Sequence, residues 1–320
     1  MSVLPEGFEV GHWTDAERAT GCTVILAPPD GAVASADVRG GGTGSRELAL
    51  LDPLANAKSV HAVLLTGGSA FGLAAADGVV RWLEERDRGY ATPGGIVPLV
   101  PAAVVYDLMS GDPRARPDAE AGYAACESAG PEFERGSVGA GTGAAVGKLF
   151  GRAASVKAGV GVAARTLPQG PRLAAVAVVN AFGDVLAEDG SVLAGSRSEE
   201  GTFPGTAKVM TEQVIEPPRY RREPSPGNTT LVCVVTDAEL TKVGCGIVAK
   251  MAQAGMARAV DPVHSAVDGD VVFALSSSRS VAVDPLIVGV AAAGLTSEAI
   301  RDACRQATGL AGIPALQDLN

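Results

Sequence analysis

Two stretches of the chain contain only apolar residues over the length of a strand. They are LAAVAVV, Leu173–Val179, and LVCVV, Leu231–Val235. A short, continuous apolar run of this kind is typical of a strand buried in the core. Glycine is abundant, at 41 of 320 residues, whereas aromatic residues make up only 4%. Small side chains allow neighbouring elements to approach closely, and the sequence therefore favours tightly stacked layers.

Helical and strand patterns alternate along the rest of the chain. Apolar spacing predicts helices at Ser69–Arg88, Pro117–Ser128, Leu240–Val260 and Leu286–Ala307. The apolar face of the third helix is expected to contain Val243, Ile247, Met251 and Ala254. The turn PPDG predicts a hairpin of Cys22–Ala27 with Ala32–Val38, and Asp184–Leu193 is expected to pair with Leu173–Val179. The glycine-rich loops lack the regular spacing of βαβ units, so the pattern favours a layered α+β domain over a doubly wound sheet.

The composition changes between Ser196 and Gly227. This stretch is polar and charged, and its end is rich in proline, with Pro217, Pro218, Pro224 and Pro226. Such a composition predicts an exposed linker, residues 196–227, which ends directly before the run NTTLVCVV.

The chain carries a net charge of −10, with a pI near 4.9. Nucleic acids and anionic membrane surfaces bind cationic faces, so neither is an expected partner. The start, MSVLPEGFEVGHWTD, lacks the basic and apolar segments of a signal peptide, and no apolar run is long enough to span a membrane. We therefore expect a cytoplasmic protein. The chain has five cysteines and no C-x-x-C pair, which predicts buried, reduced thiols. Its three histidines lack the spacing of metal ligands, so we expect no metal and no cofactor.

The glycine-rich loop GAGTGAAVGKLF, Gly139–Phe150, departs from a phosphate-binding loop at two positions. That loop needs glycine where Thr142 stands, and serine or threonine where Leu149 stands. Lys148 is then either a solvated lysine or a partly buried one, because it follows small residues and precedes two apolar ones. Burial would lower the pKa of its ammonium group and free the amine for chemistry.

The tripeptide Asp268-Gly269-Asp270 lies between two apolar stretches. Asp-Gly is a strong turn former, so the tripeptide predicts a tight hairpin turn. Two carboxylates held on a stiff turn are also suited to binding a cation such as an ammonium group. The sequence leaves both interpretations open.

With only three histidines, the chain offers no obvious serine–histidine–aspartate set, so its nucleophile needs another base. A threonine at a chain N-terminus is served by its own α-amine, whose pKa of roughly 7.7–8.0 lies near cellular pH. The stretch GNTT suits a cut that creates such a terminus, with Thr229 Oγ1 attacking the Asn228 carbonyl and water releasing the new amine. The plain alternative is a Pro-Gly-Asn turn that leads into a strand.

Six motifs give the chain a resemblance to the DmpA-like aminopeptidase/esterase family, and within it to the nylon-oligomer hydrolases. In chain order they are LLTGGSAFGLAAADGV, VPAAVVYDL, GAGTGAAVGK, LAAVAVVNAFG, GNTTLVCVVTD and DPVHSAVDGDVVFAL. The resemblance implies one catalytic domain, residues 1–320, with a four-layer αββα sandwich of the kind that ornithine acetyltransferases also have. It further implies a precursor that is cut into residues 1–228 and 229–320, and a homotetramer of the resulting αβ pairs.

The resemblance also assigns roles to residues within these motifs. The implied nucleophile is Thr229, and the implied cleavage follows Asn228. Lys148 and Asn180 would assist the nucleophile or the oxyanion, and Tyr106 would provide a hydroxyl in the site. Asp268 and Asp270 would form an acidic turn near the new amine. Aminopeptidases of the family carry serine as the nucleophile and a Ser-Gly-Glu turn. This chain instead has threonine and Asp-Gly-Asp, which favours the nylon-oligomer hydrolases.

The sequence therefore predicts a self-processing amide hydrolase that acts on small peptides or oligoamides. In this hypothesis Thr229 attacks the amide carbonyl, and Asn180 Nδ2 with Tyr106 stabilises the oxyanion. Lys148 keeps the new α-amine neutral by like-charge repulsion. Two alternatives remain: an acyltransferase of the same fold, and an uncleaved protein that binds a small anionic ligand in its glycine-rich loops. The nucleophile signature of ornithine acetyltransferases does not occur in the chain.

Overall fold

The structure, a computed structural model, describes residues 3–213 and 227–319. Its strands are β1 (Glu9–Asp15), β2 (Thr20–Leu26), β3 (Val33–Val38), β4 (Ser45–Arg46), β5 (Ala62–Thr66), β6 (Tyr90–Thr92), β7 (Gly95–Val97), β8 (Ala102–Val104), β9 (Ala145–Val146), β10 (Val156–Lys157), β11 (Val160–Thr166), β12 (Arg172–Asn180), β13 (Asp184–Leu186), β14 (Val192–Ala194), β15 (Thr229–Thr236), β16 (Val260–Asp261) and β17 (Val271–Ser276). Its α-helices are α1 (Ala75–Glu84), α2 (Ala119–Glu127), α3 (Thr206–Glu212), α4 (Lys242–Ala259) and α5 (Pro285–Arg305). Short 3₁₀ helices lie at Leu48–Leu51, Ser69–Ala74, Gly139–Gly141, Arg152–Ala154 and Leu316–Asp318.

Two five-stranded sheets form the centre of the fold. The first has the strand order β1-β2-β5-β8-β4, and the second has the order β11-β12-β15-β17-β3. The two apolar runs of the sequence are β12 and β15, neighbouring antiparallel strands inside the second sheet. All of β15 is buried, and so is β12 from Leu173 onward. The prediction of two buried strands is confirmed.

Helices cover the outer face of each sheet. α1 and α2 pack on the first sheet around Trp82, while α4 and α5 pack on the second around Met256. A third apolar core lies between the two sheets, where Ile25 of β2 and Phe273 of β17 are both fully buried. The layers therefore follow the order helix, sheet, sheet, helix, and the four-layer αββα sandwich is confirmed.

Two predicted strand pairings are wrong. Cys22–Ala27 and Ala32–Val38 do not form a hairpin, because β2 pairs with β1 and β5 whereas β3 pairs with β17 in the other sheet. β13 pairs with β14 and β16 in a small separate sheet, not with β12. An apolar pattern predicts that a strand forms, but its partner depends on which sheet edge is available after the layers pack.

The prediction of an exposed linker at residues 196–227 is wrong for its first part, where the chain packs against the rest of the protein. Thr206–Glu212 forms α3, and Ser196 and Thr206 are buried. The carboxylate of Asp184 accepts hydrogen bonds from Ser196 N (2.9 Å), Thr206 N (2.5 Å) and Thr206 Oγ1 (2.7 Å). A buried carboxylate that needs these donors holds the segment in place. The rest of the predicted linker, residues 214–226, lies outside the described residues.

The four predicted helices are present, but the predicted apolar face of α4 is partly wrong. Val243 and Ile247 are exposed. The core residues of this helix include Cys245, Val248, Ala249, Ala252 and Met256. Small residues make up much of this buried face because α4 packs closely on α5, where a Cβ on Gly255 would lie 2.0 Å from Ala293 O. None of the helices in the described ranges has both the length and the apolar character needed to cross a membrane.

Candidate active site

Asn180 and Thr229 lie side by side because they end and begin neighbouring strands. Asn180 is the last residue of β12, Thr229 is the first of β15, and the antiparallel register pairs them directly. Only 1% of Asn180 and 4% of Thr229 is exposed. Two polar side chains are therefore held at the ends of two interior strands, buried from water, where each needs a hydrogen-bond partner.

The glycine-rich loop brings Lys148 to the same place. Gly147 has a φ of +69°, and a Cβ at this position would lie 2.0 Å from the carbonyl carbon of Gly195, so only glycine fits. The loop is tied to the chain after β12 by a hydrogen bond from Lys148 N to Phe182 O (3.0 Å). Lys148 Nζ then donates to Asn180 O (2.9 Å) and Asn180 Oδ1 (2.8 Å).

The ammonium group of Lys148 is electrostatically unusual. Burial lowers the pKa of Lys148 to about 7, and attraction from Asp268 and Asp107 limits the decrease. Of the two interpretations that the sequence left open, the structure supports the partly buried lysine. A group with this pKa exchanges protons readily near neutral pH.

The side-chain amide of Asn180 is fixed from three directions. Its Oδ1 accepts hydrogen bonds from Lys148 Nζ and from Ala145 N (3.2 Å), while its Nδ2 donates to the backbone carbonyl of Tyr106 (3.0 Å). This bond uses one of the two N–H groups on Nδ2. The side chain of Tyr106 lines a cavity beside Asn180 and packs against Gly227, where any side chain would collide with its ring.

The peptide bond between Asn228 and Thr229 lies at the centre of this cluster. Thr229 Oγ1 donates a hydrogen bond to the Asn228 carbonyl oxygen. The same oxygen accepts a hydrogen bond from Gly269 N (2.8 Å). Asn228 is buried and forms a parallel bridge with Asp268, which holds this carbonyl against the acidic tripeptide. A carbonyl that already accepts a backbone N–H is prepared to become an oxyanion.

The tripeptide Asp268-Gly269-Asp270 is not a hairpin turn, because β16 and β17 on either side of it do not pair. Asp270 Oδ1 accepts from Thr230 N (2.7 Å), and its Oδ2 accepts from His264 N and His264 Nδ1 (both 3.0 Å). Asp268 accepts from Phe182 N (3.1 Å) and from Ser265 Oγ. The carboxylate of Asp270 thus holds the chain directly after Thr229, and the backbone of Val267 and Gly269 holds Asn228 directly before it.

The pKa of Asp268 is shifted by its surroundings. Burial raises the pKa of Asp268, and the neighbouring charge of Asp270 raises it further. Hydrogen bonds from Ser265 and Phe182, together with the charge of Lys148, act in the opposite direction. The site therefore contains an amine and a carboxyl group whose pKa values both move toward neutrality, an arrangement that is frequent in active sites.

Three contributors to the site were not predicted from the sequence. They are the backbone N–H of Gly269, the ring of His264 against Asp270, and the loop Gly40–Gly42, in which Gly42 N donates to Asp268 O (2.8 Å). A Cβ on Gly269 would lie 2.8 Å from Thr229 Oγ1, so this position needs glycine for a reason other than a turn. The only sequence signal was the Asp-Gly dipeptide, which suggested a hairpin.

The described residues contain no group of three or more histidine, cysteine, aspartate or glutamate side chains placed to hold a metal ion. All five cysteines are buried free thiols. Burial raises the pKa of Cys304 to about 12. A thiol with such a pKa stays protonated at neutral pH and is a poor nucleophile.

Comparisons with known proteins show the family of the chain. The sequence model of peptidase family S58 matches residues 6–316. An uncharacterized aminopeptidase of Mycobacterium leprae (strain TN) is 41% identical, over 96% of this chain and 91% of that protein. The 6-aminohexanoate-oligomer endohydrolase of Kocuria sp. (strain KY2) is 32% identical, over 85% of this chain and 74% of that protein.

Two solved structures share the fold. The L-aminopeptidase D-Ala-esterase/amidase of Ochrobactrum anthropi, a variant of the Ntn hydrolase fold, has a TM-score of 0.71 at 20% identity, covering 96% of this chain and 86% of its own. The β-aminopeptidase of Burkholderia sp. has the same TM-score and identity, covering 99% and 92%. The family match and the sequence relatives confirm the resemblance to the DmpA-like family. The chain belongs to peptidase family S58 and is a hydrolase of amide bonds.

Proposed function

We propose that the chain cuts itself between Asn228 and Thr229, and that the freed Thr229 then hydrolyses amide bonds in small peptides or oligoamides. The observation that carries this proposal is the environment of the Asn228 carbonyl. The hydroxyl of Thr229 contacts its oxygen from one side, and Gly269 N donates to the same oxygen at 2.8 Å. A nucleophile and an oxyanion donor on one buried peptide bond are the two parts that acyl transfer needs.

The cutting reaction proceeds in two steps. Thr229 Oγ1 bonds to the Asn228 carbonyl carbon and loses its proton, the C–N bond breaks, and the Thr229 nitrogen gains a proton. The product is an ester between Asn228 and the Thr229 hydroxyl. Water then attacks the ester carbonyl and leaves the Asn228 carboxylate, the threonine hydroxyl and a free α-amine. Gly269 N stabilises the negative oxygen in both steps.

The cut chain has a base that the precursor lacks. The α-amine of Thr229 takes the proton of its own hydroxyl as Oγ1 attacks the substrate amide, and then gives that proton to the leaving amine. The second N–H of Asn180 Nδ2 and the hydroxyl of Tyr106 stabilise the substrate oxyanion. The protonated fraction of Lys148 repels a protonated α-amine, while Asp268 and Asp270 hold the new terminus in position.

The substrate class is supported by the relatives and by two residue types. The relatives include proteins described as an aminopeptidase and as a 6-aminohexanoate-oligomer endohydrolase. Threonine as the nucleophile and Asp-Gly-Asp as the acidic tripeptide favour oligoamides over the substrates of serine aminopeptidases. Residues 1–228 and 229–320 together form the single catalytic domain in this proposal. The five free, buried thiols suit a reducing compartment such as the cytoplasm.

Denaturing electrophoresis tests the proposal directly. The purified chain is expected to give two bands, residues 1–228 and 229–320, and N-terminal sequencing of the smaller band should start at Thr229. A single full-length band with intact hydrolytic activity would contradict self-cutting. A single full-length band that binds a small anion but does not hydrolyse amides would favour the alternative of an uncut ligand-binding protein. Product analysis with and without an added amine separates hydrolysis from acyl transfer to that amine.

The self-cutting rate is expected to depend on the protonation of Lys148. Below about pH 7 its amine is protonated and cannot take the Thr229 hydroxyl proton, whereas above this pH it can. We therefore expect the cutting rate of freshly translated chain to rise with pH and to level off above an apparent pKa of about 7. Electrophoresis of samples taken over time at each pH measures this rate.

Lys157 provides the matched control. Burial lowers the pKa of Lys157 to about 7 as well, but its Nζ donates to Gly141 O (2.9 Å), whereas Lys148 Nζ donates to Asn180, the strand partner of Thr229. The rise of the cutting rate around pH 7 should disappear in Lys148→Met and persist in Lys157→Met. An unchanged inflection in a folded Lys148→Met variant would assign the proton transfer to another group.

A tetramer of αβ pairs belongs to the same proposal. An exposed apolar patch, defined as Val243 and Ile247 of α4 with Leu286, Ile287 and Val290 of α5, supports it. The two helices run side by side, and their contact places Gly244 against Pro285, so the patch is continuous. A patch of this kind is typical of an interface between subunits.

Light scattering coupled to size-exclusion chromatography tests the interface. The double variant Ile247→Glu, Val290→Glu is expected to reduce the particle mass at least twofold, because the interface at this patch is lost when two charges cannot be buried unpaired. Val97→Glu, on an exposed strand outside the patch, should leave the mass unchanged. A double variant that remains the size of the wild type would show that the patch is not the interface.

A further inference from the structure

A cavity of about 140 Å³ opens beside Asn180, the residue that pairs with the proposed nucleophile Thr229. One side is formed by the site itself, through Tyr106, Lys148 and Asn180. The opposite side is formed by Arg152 and by the apolar side chains of Met109 and Ile313. The reaction proposed above uses the first side only, so the second side has no assigned role.

The charges around this cavity have one sign. Among the described residues, the charged side chains that line it are Lys148 and Arg152, and both are cationic. The nearby carboxylate of Asp107 is committed elsewhere, because Oδ1 accepts from Gly68 N (2.7 Å) and Oδ2 from Thr20 Oγ1 (2.7 Å). Asp268 is likewise bound by Phe182 N and Ser265 Oγ. The cavity thus attracts anions and repels a protonated amine.

Arg152 is held in place by hydrogen bonds but has no counter-ion among the described residues. Its Nη2 donates to Ser110 O (2.7 Å) and Ala311 O (2.9 Å), which fixes the guanidinium at the start of a 3₁₀ helix. Its Nε is buried without a hydrogen-bond partner, and no carboxylate of the described residues forms an ion pair with it. Burial lowers the pKa of Arg152, yet an arginine side chain stays charged in proteins. A desolvated, unbalanced cation is stabilised when a ligand brings an anion to it.

We infer that this cavity is a carboxylate subsite, and that Arg152 selects substrates whose free carboxylate lies close to the scissile amide. This inference rests on the proposed function. The apolar walls at Met109 and Ile313 suit a short aliphatic segment between the amide and the carboxylate. Short oligoamides and small peptides with a free acid end have this chemistry, whereas their C-terminal amides lack it. Arg152 is thereby a specificity-determining residue and takes no part in bond cleavage.

Binding of hexanoate and hexanamide tests the subsite, because the two probes have almost the same shape and differ in charge. Calorimetric titration is expected to give about tenfold or more tighter binding of hexanoate, the effect of a charge-assisted hydrogen bond. Arg152→Gln should remove the preference. Arg197→Gln is the matched control, since Arg197 also donates to a nearby backbone carbonyl, Ala153 O (2.6 Å), but does not line the cavity.

A second variant keeps the test decisive if Arg152→Gln does not fold. Met109 is exposed at the cavity rim, so Met109→Glu can be accommodated and would supply a competing carboxylate to Arg152. It should also abolish the preference for hexanoate. Equal binding of both probes to the wild type, or a preference that survives in these variants, would overturn the inference.

Kinetics on the processed enzyme complete the comparison. The linear 6-aminohexanoate dimer should have a higher kcat/KM than its C-terminal amide, by about tenfold, and Arg152→Gln should equalise the two. The binding experiment needs no turnover, so it reports on the subsite even if the chain proves to be uncut. Absence of cutting with a retained hexanoate preference would reject the proposed function alone, whereas normal cutting without the preference would reject the subsite alone.

Discussion

Thr229→Ala is expected to yield a single uncut chain whose hydrolytic rate falls on the order of 10⁴-fold or more. The effect is large because one hydroxyl serves both reactions: it cuts the chain at Asn228 and attacks the substrate. Without the cut, the α-amine that acts as base is never formed. Thr229→Ser keeps a hydroxyl at the same place and should keep both activities. Electrophoresis after prolonged incubation and a rate assay with a short oligoamide measure the two effects.

The adjacent threonine is the matched control. Thr230 Oγ1 is buried and has no hydrogen-bond partner in the described structure, while Thr230 N donates to Asp270 Oδ1 (2.7 Å) through the backbone. Thr230→Val removes only the unused hydroxyl, a change that is close to neutral when a group has no partner. It should leave cutting and hydrolysis unchanged. Cutting of Thr229→Ala between residues 228 and 229, or an equal loss in Thr230→Val, would refute the assignment of the nucleophile.

Asn180→Asp is expected to lower kcat about 10²–10³-fold, the usual effect of removing one oxyanion donor. The substitution keeps the shape of the side chain but replaces the Nδ2 donor with an oxygen that faces the Tyr106 carbonyl, now 3.0 Å away. The new carboxylate would also face Lys148 Nζ, which lies 2.8 Å from Oδ1, and would raise the pKa of that lysine. The loss should appear in kcat more than in KM, because the lost bond forms fully only in the transition state.

Asn56→Asp adds the same charge at an exposed position and should not change the rate. Because Gly269 N is the oxyanion donor of the cutting reaction, Asn180→Asp should still be cut, more slowly near neutral pH where Lys148 is protonated, and kcat is measured on the processed form. The pH profile of the cutting rate would also shift toward higher pH, because the new carboxylate stabilises the protonated form of Lys148. A folded Asn180→Asp variant with wild-type kcat and an unshifted profile would exclude the oxyanion role.

The strands of the site show which structural features sequence patterns can predict. The apolar runs before Asn180 and after Thr229 predicted two buried strands, and both are present as β12 and β15. The pairing of Asn180 with Thr229 could not be predicted from these runs, because strand register depends on the partner and on the layers that cover both faces. The same limitation explains the failed hairpin between β2 and β3, whose apolar patterns carry no information on which sheet each strand joins.

Lys148 and the acidic tripeptide illustrate a second limit. The sequence offered a solvated or a buried lysine, and the choice depends on how much water the surrounding loops exclude. For Asp268-Gly269-Asp270, the sequence left open a hairpin turn and a pair of carboxylates that binds a cation. The actual contacts of this tripeptide run to Phe182, Thr230 and His264, from segments that the fold brings together. Local sequence propensity does not predict contacts with segments that are distant in the chain.

The sequence by itself determined the buried strands, the main helices, the acidic character and the set of polar residues that interrupt apolar stretches. Together with its motifs, it was sufficient to predict the layered sandwich and the family. Only the tertiary structure decided that Gly269 N and Thr229 Oγ1 converge on the Asn228 carbonyl, and that Arg152 lines the same cavity as Asn180 and Lys148 with no ion pair in residues 3–213 and 227–319. The reason is physical: composition and periodicity determine which residues avoid water, whereas the partner and charge environment of each polar group are set by contacts between distant segments.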